Sequence, residues 1–251
     1  MSYKFSLYTI ENGIATITLN RPQILNALSP DSLNELREIV LAAGRDSAVK
    51  VVIITGAGKA FAAGADLQSL GPQKLENGRV GAVIDKAANG VIEAIQQIPQ
   101  AVIAAVNGHC YTGALEIVLS CDIILSSTDA RFGDTHVRFG LRPTWGMSQR
   151  LPRTIGYHKA KELSFTAGII DASEALRIGL VSRTVSAGEL LDSAKTIARQ
   201  IMANSLEAVA AYKQLYNNTL GMSLADGLQY ESQSEYSISD TQSRIDAFRK
   251  K

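Results

Sequence analysis

Two runs of small residues and three ionisable side chains are the parts of this 251-residue chain best suited to chemistry. The runs are Phe61-Ala62-Ala63-Gly64-Ala65-Asp66 and Asn107-Gly108-His109-Cys110-Tyr111-Thr112-Gly113-Ala114-Leu115-Glu116. Each follows an apolar segment, so its small residues stand beside a strand end. There main-chain amides can approach a ligand, or the chain can simply turn tightly. Glu116 falls in the first turn of a short helical segment, whose positive end favours an ionised carboxylate and suits a general base. His136 brings the side-chain type that changes charge near neutrality, although a histidine satisfied within a loop would read the same way. Asp134, two residues earlier, would point the same way on a strand and could orient the ring. His109 and Cys110 do not form a nucleophile and its base, because neighbours on an extended chain point apart. Arg138 and Arg142 read as surface or ion-pair residues, and Trp145 as a pocket wall or a packing residue.

The elements that must position these groups alternate along the first half of the chain. Residues 1–5 read as a strand, and Ile14 to Leu19 is a β-branched run closed by Asn20-Arg21-Pro22. Ser29 then caps a helix, with Pro30 at its first position, Asp31 at its positive end and Gly44 to stop it. Val49 to Thr55 and Ala101 to Val106 are continuous apolar runs, as expected of strands covered on both faces. Helical spacing predicts helices at 83–97 and 114–120, with an irregular stretch at 68–82 and a further strand at 121–126. This rhythm implies a mainly parallel α/β sheet arrangement with right-handed crossovers. Beyond residue 157 helical patterns dominate, most clearly at 187–202 and 205–220.

Bulk properties exclude several classes. A net charge of +1 gives no field for a nucleic acid or an anionic membrane surface. No apolar run reaches the ~20 residues needed to cross a bilayer. Two cysteines build neither a disulfide framework nor a paired zinc motif, and metal ligands are not expected. A cytoplasmic protein with reduced thiols is the expectation.

Longer stretches follow one another in a recognisable order. They are Leu19-Asn20-Arg21-Pro22 with Asn26-Ala27-Leu28, residues 51–56, residues 59–67, residues 99–108, Glu116, Cys121-Asp122-Ile123-Ile124, Phe132-Gly133 and Gln149-Arg150-Leu151-Pro152. In this order they resemble the crotonase (enoyl-CoA hydratase/isomerase) superfamily. The resemblance implies an α/β fold: a crotonase-like spiral of repeated ββα units over residues 1–190, then a helical C-terminal region at 191–251 that serves trimerisation. It further implies a substrate carried as a coenzyme A thioester, no other cofactor, and a homotrimer or dimer of trimers.

By the same resemblance, the amides of Ala65 and Gly113 form an oxyanion hole for the thioester carbonyl. Such donors stabilise the charge of an enolate, and losing one typically costs ~10²–10³ in rate. Glu116 matches the residue that activates water. The second glutamate of many hydratases is replaced by His136, with Asp134 nearby to orient it or share its task. The coenzyme is expected near Arg21, Leu25, Ala27, Lys59, Ala63, Asp66 and Leu67, although Gln68 stands where a lysine is common. Thr112 replaces a glycine and is expected to cap the helix after it. Hydration of a 2-enoyl-CoA is the leading reading. Hydrolysis of a carbon–carbon bond in a β-dicarbonyl compound through His136, or a weakly active acyl-CoA binder, are the alternatives.

Overall fold

The computed structural model of the protein describes residues 3–71 and 75–250. Part of the stretch expected to be irregular, residues 72–74, lies outside the described residues, as do Met1, Ser2 and Lys251.

The strands and helices are β1 Ser6–Glu11, β2 Ile14–Leu19, α1 Pro30–Arg45, β3 Val51–Gly56, β4 Ala60–Ala62, α2 Ala82–Gln97, β5 Ala101–Val106, β6 His109–Tyr111, α3 Gly113–Val118, β7 Ile123–Ser127 and β8 Arg131–Gly133. They continue as α4 Met147–Ile155, α5 Tyr157–Thr166, β9 Ile169–Asp171, α6 Ala172–Arg177, β10 Arg183–Val185, α7 Leu190–Met202, α8 Leu206–Thr219, α9 Leu224–Gln233 and α10 Thr241–Arg249. The first strand begins at Ser6 rather than at the N-terminus, because Ser6–Glu11 is the segment that pairs antiparallel with β2.

One sheet has six strands in the order β1-β2-β3-β5-β7-β10, and a second has four in the order β4-β6-β8-β9. From β3 to α4, each repeat gives one strand to the first sheet and the next to the second, then a helix. Three such ββα units make the spiral. The spacing of apolar residues explains why the large sheet lies in the middle. Val52, Ile54, Val102 and Ala104 face the cluster with α1 and α2, while Val51, Ile53, Ile103 and Ala105 face the cluster with α7. Strands buried on both faces need continuous apolar runs, which β3 and β5 have.

Ser29 caps α1 as expected, in a reciprocal capping box with Ser32. Gly44 does not stop that helix, which continues to Arg45. Its role is close approach: a Cβ there would lie 2.3 Å from the Ile98 Cγ2 atom. At the far end of the chain, α8 is anchored to the core by Lys213. Its Nζ donates to the Ile95 carbonyl at 2.7 Å and the Gln100 carbonyl at 2.9 Å, and pairs with Asp122 at 2.9 Å. A buried ammonium needs this full set of partners.

Gly44→Ala is therefore expected to lower stability by about 1–3 kcal/mol, as overpacking does, read as a fall in thermal midpoint. An unchanged midpoint would show that Ile98 moves away freely.

Candidate active site

β4, β6 and β8 lie side by side and run parallel, with Ala62 opposite Cys110 and Tyr111 opposite Gly133. Their C-terminal ends therefore meet at one edge. The three segments that leave it carry Ala65, Gly113 and His136, which explains how residues from distant parts of the chain line one cavity of about 100 Å³ together with Glu116 and Trp145.

The segment after β4 is held as a single parallel bridge to Leu28. The Leu28 amide donates to the Gly64 carbonyl at 2.8 Å, and the Asp66 amide donates to the Leu28 carbonyl at 2.9 Å. Residues 64 and 66 thus face Leu28, so the Ala65 amide points the other way. Gly64 has a φ of +103°, and a Cβ on it would meet the Tyr111 carbonyl at 3.1 Å and the Gly113 nitrogen at 3.8 Å. The two small-residue segments are in contact. Gly113 opens α3, and a Cβ there would lie 2.2 Å from Cζ3 of Trp145. Only glycine lets the indole lie against this main chain.

Thr112 does not cap α3. It holds a φ of 55° and ψ of −114°, and its hydroxyl shares a 2.6 Å hydrogen bond with Thr135. The cap fails because a residue in this conformation aims its side chain at the β8 exit instead of at the α3 amides. Such a backbone costs of order 1–3 kcal/mol.

Glu116 is 1 % exposed. One oxygen, Oε1, accepts from the Trp145 amide at 3.0 Å and the Met147 amide at 2.8 Å. The other, Oε2, lies 3.7 Å from Nε2 of His136. The carboxyl is not the readily ionised one that its place in the first turn of a helix suggests. Burial pushes the Glu116 carboxyl above the usual glutamate range; the Met147 amide, His136 and the Trp145 amide pull it back, and Asp134 adds to the rise. Desolvation outweighs the helix end.

Asp134 and His136 meet, but not through a shared strand. β8 ends at Gly133, and His136 begins a 3₁₀ turn over His136–Phe139. Nδ1 of His136 lies 2.6 Å from Oδ1 of Asp134, and the Ser164 hydroxyl donates to Oδ2 at 2.7 Å. Burial opposes ionisation of Asp134, but the bonds from His136 and Ser164 outweigh it and hold the carboxyl below the usual aspartate range. A carboxylate only accepts, so Nδ1 carries a proton and Nε2 is the nitrogen turned to Glu116.

The residues expected to meet the coenzyme are spread from the cavity to the far end of β4. The Arg21 guanidinium donates to the Ala27 carbonyl at 2.7 Å and to Asp66 at 3.0 Å, so its charge is already paired. The Ala63 amide donates to the Leu25 carbonyl at 3.0 Å, and Leu25 is 39 % exposed. Ala63 and Leu67 line the cavity itself. Lys59 is exposed at the start of β4, the end of that strand away from the cavity.

Cys110 is fully buried, which pushes its thiol well up, and Nδ1 of His109 bonds the Tyr111 hydroxyl at 2.9 Å. The His109 ring therefore engages Tyr111 rather than the Cys110 thiol. Arg138 and Arg142 donate to the carbonyls of Ala167 and Asn77, and among the described residues neither forms an ion pair. Ser164 and the amides of Trp145 and Met147 were not legible in the sequence, since nothing local marks them as partners of residues some 30 positions away. Among the described residues no cluster of metal-ligating side chains occurs, and no helix is long and apolar enough to cross a membrane.

Fold and site define a two-sheet α/β protein in which two small-residue segments lie beside a buried carboxylate and an imidazole. The family model for enoyl-CoA hydratase/isomerase matches residues 9–250, and the chain belongs to that family. It is 40 % identical over 238 residues to the short-chain-enoyl-CoA hydratase of Clostridium acetobutylicum, spanning 94 % of this chain and 90 % of that one. It is 37 % identical to the crotonyl-CoA hydratase of Syntrophomonas wolfei, over 92 % of this chain and 88 % of that one. The crystal structure of enoyl-CoA hydratase from Bacillus anthracis superposes with a TM-score of 0.90 at 34 % identity, covering 98 % and 96 % of the two chains.

The raised Glu116 carboxyl sets the sign of a stability test. An acid whose folded value lies above its unfolded one costs stability as pH rises between the two, and that cost is fully present above the folded value. Glu116→Gln keeps an acceptor for both amides and removes the charge. Its thermal midpoint is expected to exceed the parent's at pH 7 to 8, with the gap closing as pH falls toward the usual glutamate range. A gap that widens on acidification would contradict the burial argument.

Proposed function

We propose that the chain is a 2-enoyl-CoA hydratase, adding water across the double bond conjugated to a coenzyme A thioester. The observation that carries this reading is one small cavity lined by the Ala65 and Gly113 segments, Glu116 and His136. Chemistry fixes the roles. The two amides hold the thioester oxygen, where negative charge develops as an enolate forms. Glu116 takes a proton from water through Oε2, and the resulting hydroxide bonds the β-carbon. His136 then gives the proton on Nε2 to the α-carbon, while Asp134 holds the opposite nitrogen protonated. Return of the proton from Glu116 to His136, across the 3.7 Å between Oε2 and Nε2, resets both groups after release of the 3-hydroxyacyl product. Net consumption is one water.

The relatives named as short-chain and crotonyl-CoA hydratases, and the small cavity of about 100 Å³ lined in part by Trp145, support a short acyl chain. For the coenzyme, exposed Lys59 is the free charge to meet phosphate, and the segment 63–67 the polar edge. A homotrimer or dimer of trimers is supported by apolar side chains exposed on α8 and α9, among them Tyr212, Tyr216 and Leu224. Two unpaired cysteines support a cytoplasmic setting.

Purified protein is expected to lower the conjugated enoyl-thioester absorbance of crotonyl-CoA to an equilibrium level. Glu116→Gln and His136→Ala should each lower kcat by roughly 10²–10⁴. Because Glu116 acts ionised and its carboxyl is raised, the acidic limb of the kcat profile should lie above the usual glutamate range and vanish in Glu116→Gln. Turnover of β-diketones in place of enoyl-CoAs would move the protein to the carbon–carbon hydrolase reading, and stabilisation by acyl-CoA without any turnover would leave it a binder.

Ser164→Ala should cost less than His136→Ala and lower kcat more than it raises KM, since it loosens only the far end of the Ser164–Asp134–His136 chain. Equal losses would place Ser164 in contact with substrate instead.

A further inference from the structure

Asp85 lies outside the roles assigned above, yet the segment that holds Glu116 rests on it. It sits in the first turn of α2 and is 5 % exposed. Oδ1 accepts the Trp145 indole N–H at 2.9 Å and the Thr144 hydroxyl at 2.7 Å. Oδ2 pairs with the Arg79 guanidinium at 3.0 Å. A helix-start aspartate needs no partner of this kind, because the helix end and water would satisfy it. This one reaches across 60 positions to a tryptophan.

Trp145 is in turn tied at three points. Its indole binds Asp85, its amide binds Glu116 Oε1, and its carbonyl accepts from Arg150 at 2.9 Å. The ring of the same residue lies against Gly113. One side chain therefore touches the main chain of one amide donor while its own backbone holds the carboxylate. The ring cannot tilt without disturbing both, and displacements of about 1 Å remote from the reacting atoms can cost up to about 100-fold in rate.

We propose that Asp85 is a positioning residue for this site: by anchoring Thr144 and Trp145 it holds the Glu116 carboxylate in line with the Ala65 and Gly113 amides. The proposal rests on the hydratase reading for the identity of the reaction, but not for the geometry. The charged groups facing Glu116 are His136 and Asp134 from the β8 exit and Arg150 from α4. Asp85 reaches Glu116 only through the Trp145 main chain. Loosening that chain weakens the two amide bonds that favour the ionised form of Glu116, so the proton should be held to higher pH.

Trp145 is the single tryptophan of the chain, so its fluorescence reports this site alone. In ligand-free protein, a pH titration of the emission is expected to show an inflection that disappears in Glu116→Gln and moves to higher pH in Asp85→Asn. With crotonyl-CoA, folded Asp85→Asn should lose up to about 100-fold in kcat with little change in KM, and its acidic limb should move with the emission midpoint. Thr144→Val removes one anchor with Asp85 intact and should shift both in the same direction by less; it decides the matter if Asp85→Asn does not fold. A parent-like emission midpoint in a folded variant overturns the proposal. Failure of the parent to hydrate any enoyl-CoA instead overturns the hydratase reading, and the emission titration still decides the role of Asp85.

Discussion

Close approach of two stretches of main chain is the constraint on which the rest of the molecule depends. The segments after β4 and β6 touch because these strands are parallel neighbours in the smaller sheet. Gly64, in a left-handed conformation with a φ of +103°, makes the contact sterically possible, and Gly113 makes room for the Trp145 ring beside it. The bridge to Leu28 then decides which amide faces the cavity, since its two hydrogen bonds engage residues 64 and 66 and leave the one between them. The long apolar strands of the larger sheet hold this arrangement rigid by being buried on both faces.

Against that fixed frame the protein buries a carboxylate, an imidazole and a second carboxylate within one small volume. Burial without partners would cost several kcal/mol per charge. Each group is therefore supported from outside the cavity: Glu116 by the Trp145 and Met147 amides, His136 by Asp134, and Asp134 by Ser164. The support is asymmetric, and the asymmetry separates roles. Asp134 is held ionised while the Glu116 carboxyl is pushed up toward neutrality. Environments that drive neighbouring groups apart in this way mark a site built to move protons. The histidine that stands where the resemblance leads one to expect a glutamate thus comes with a carboxylate of its own.

Much of the frame was readable from residue types. Ser29 followed by Pro30 marks the start of α1, and the apolar runs at β3 and β5 mark strands covered on both sides. The resemblance pointed to Ala65, Gly113, Glu116 and His136, and these four line one cavity. What local pattern hid was set by distant contacts. Gly44 looks like a helix stop until Ile98 is seen against it. Thr112 looks like a cap until its hydroxyl turns to Thr135. Glu116 looks ionised by its helix end until its burial is known. Arg21, expected near the coenzyme, carries Asp66 and the Ala27 carbonyl on its guanidinium, which no local pattern shows. Asp85 carries no signal at all, because its partner Trp145 is 60 positions away.

In the proposed reaction the Ala65 and Gly113 amides converge on one carbonyl oxygen. Infrared difference spectroscopy of crotonyl-CoA labelled with ¹³C at the thioester carbonyl, bound to the Glu116→Gln variant so that chemistry is blocked, reads this directly. A carbonyl stretch moved to lower frequency than in free solution is expected, because two N–H donors would polarise the bond. A bound thioester whose carbonyl band stays at its free-solution position would contradict it.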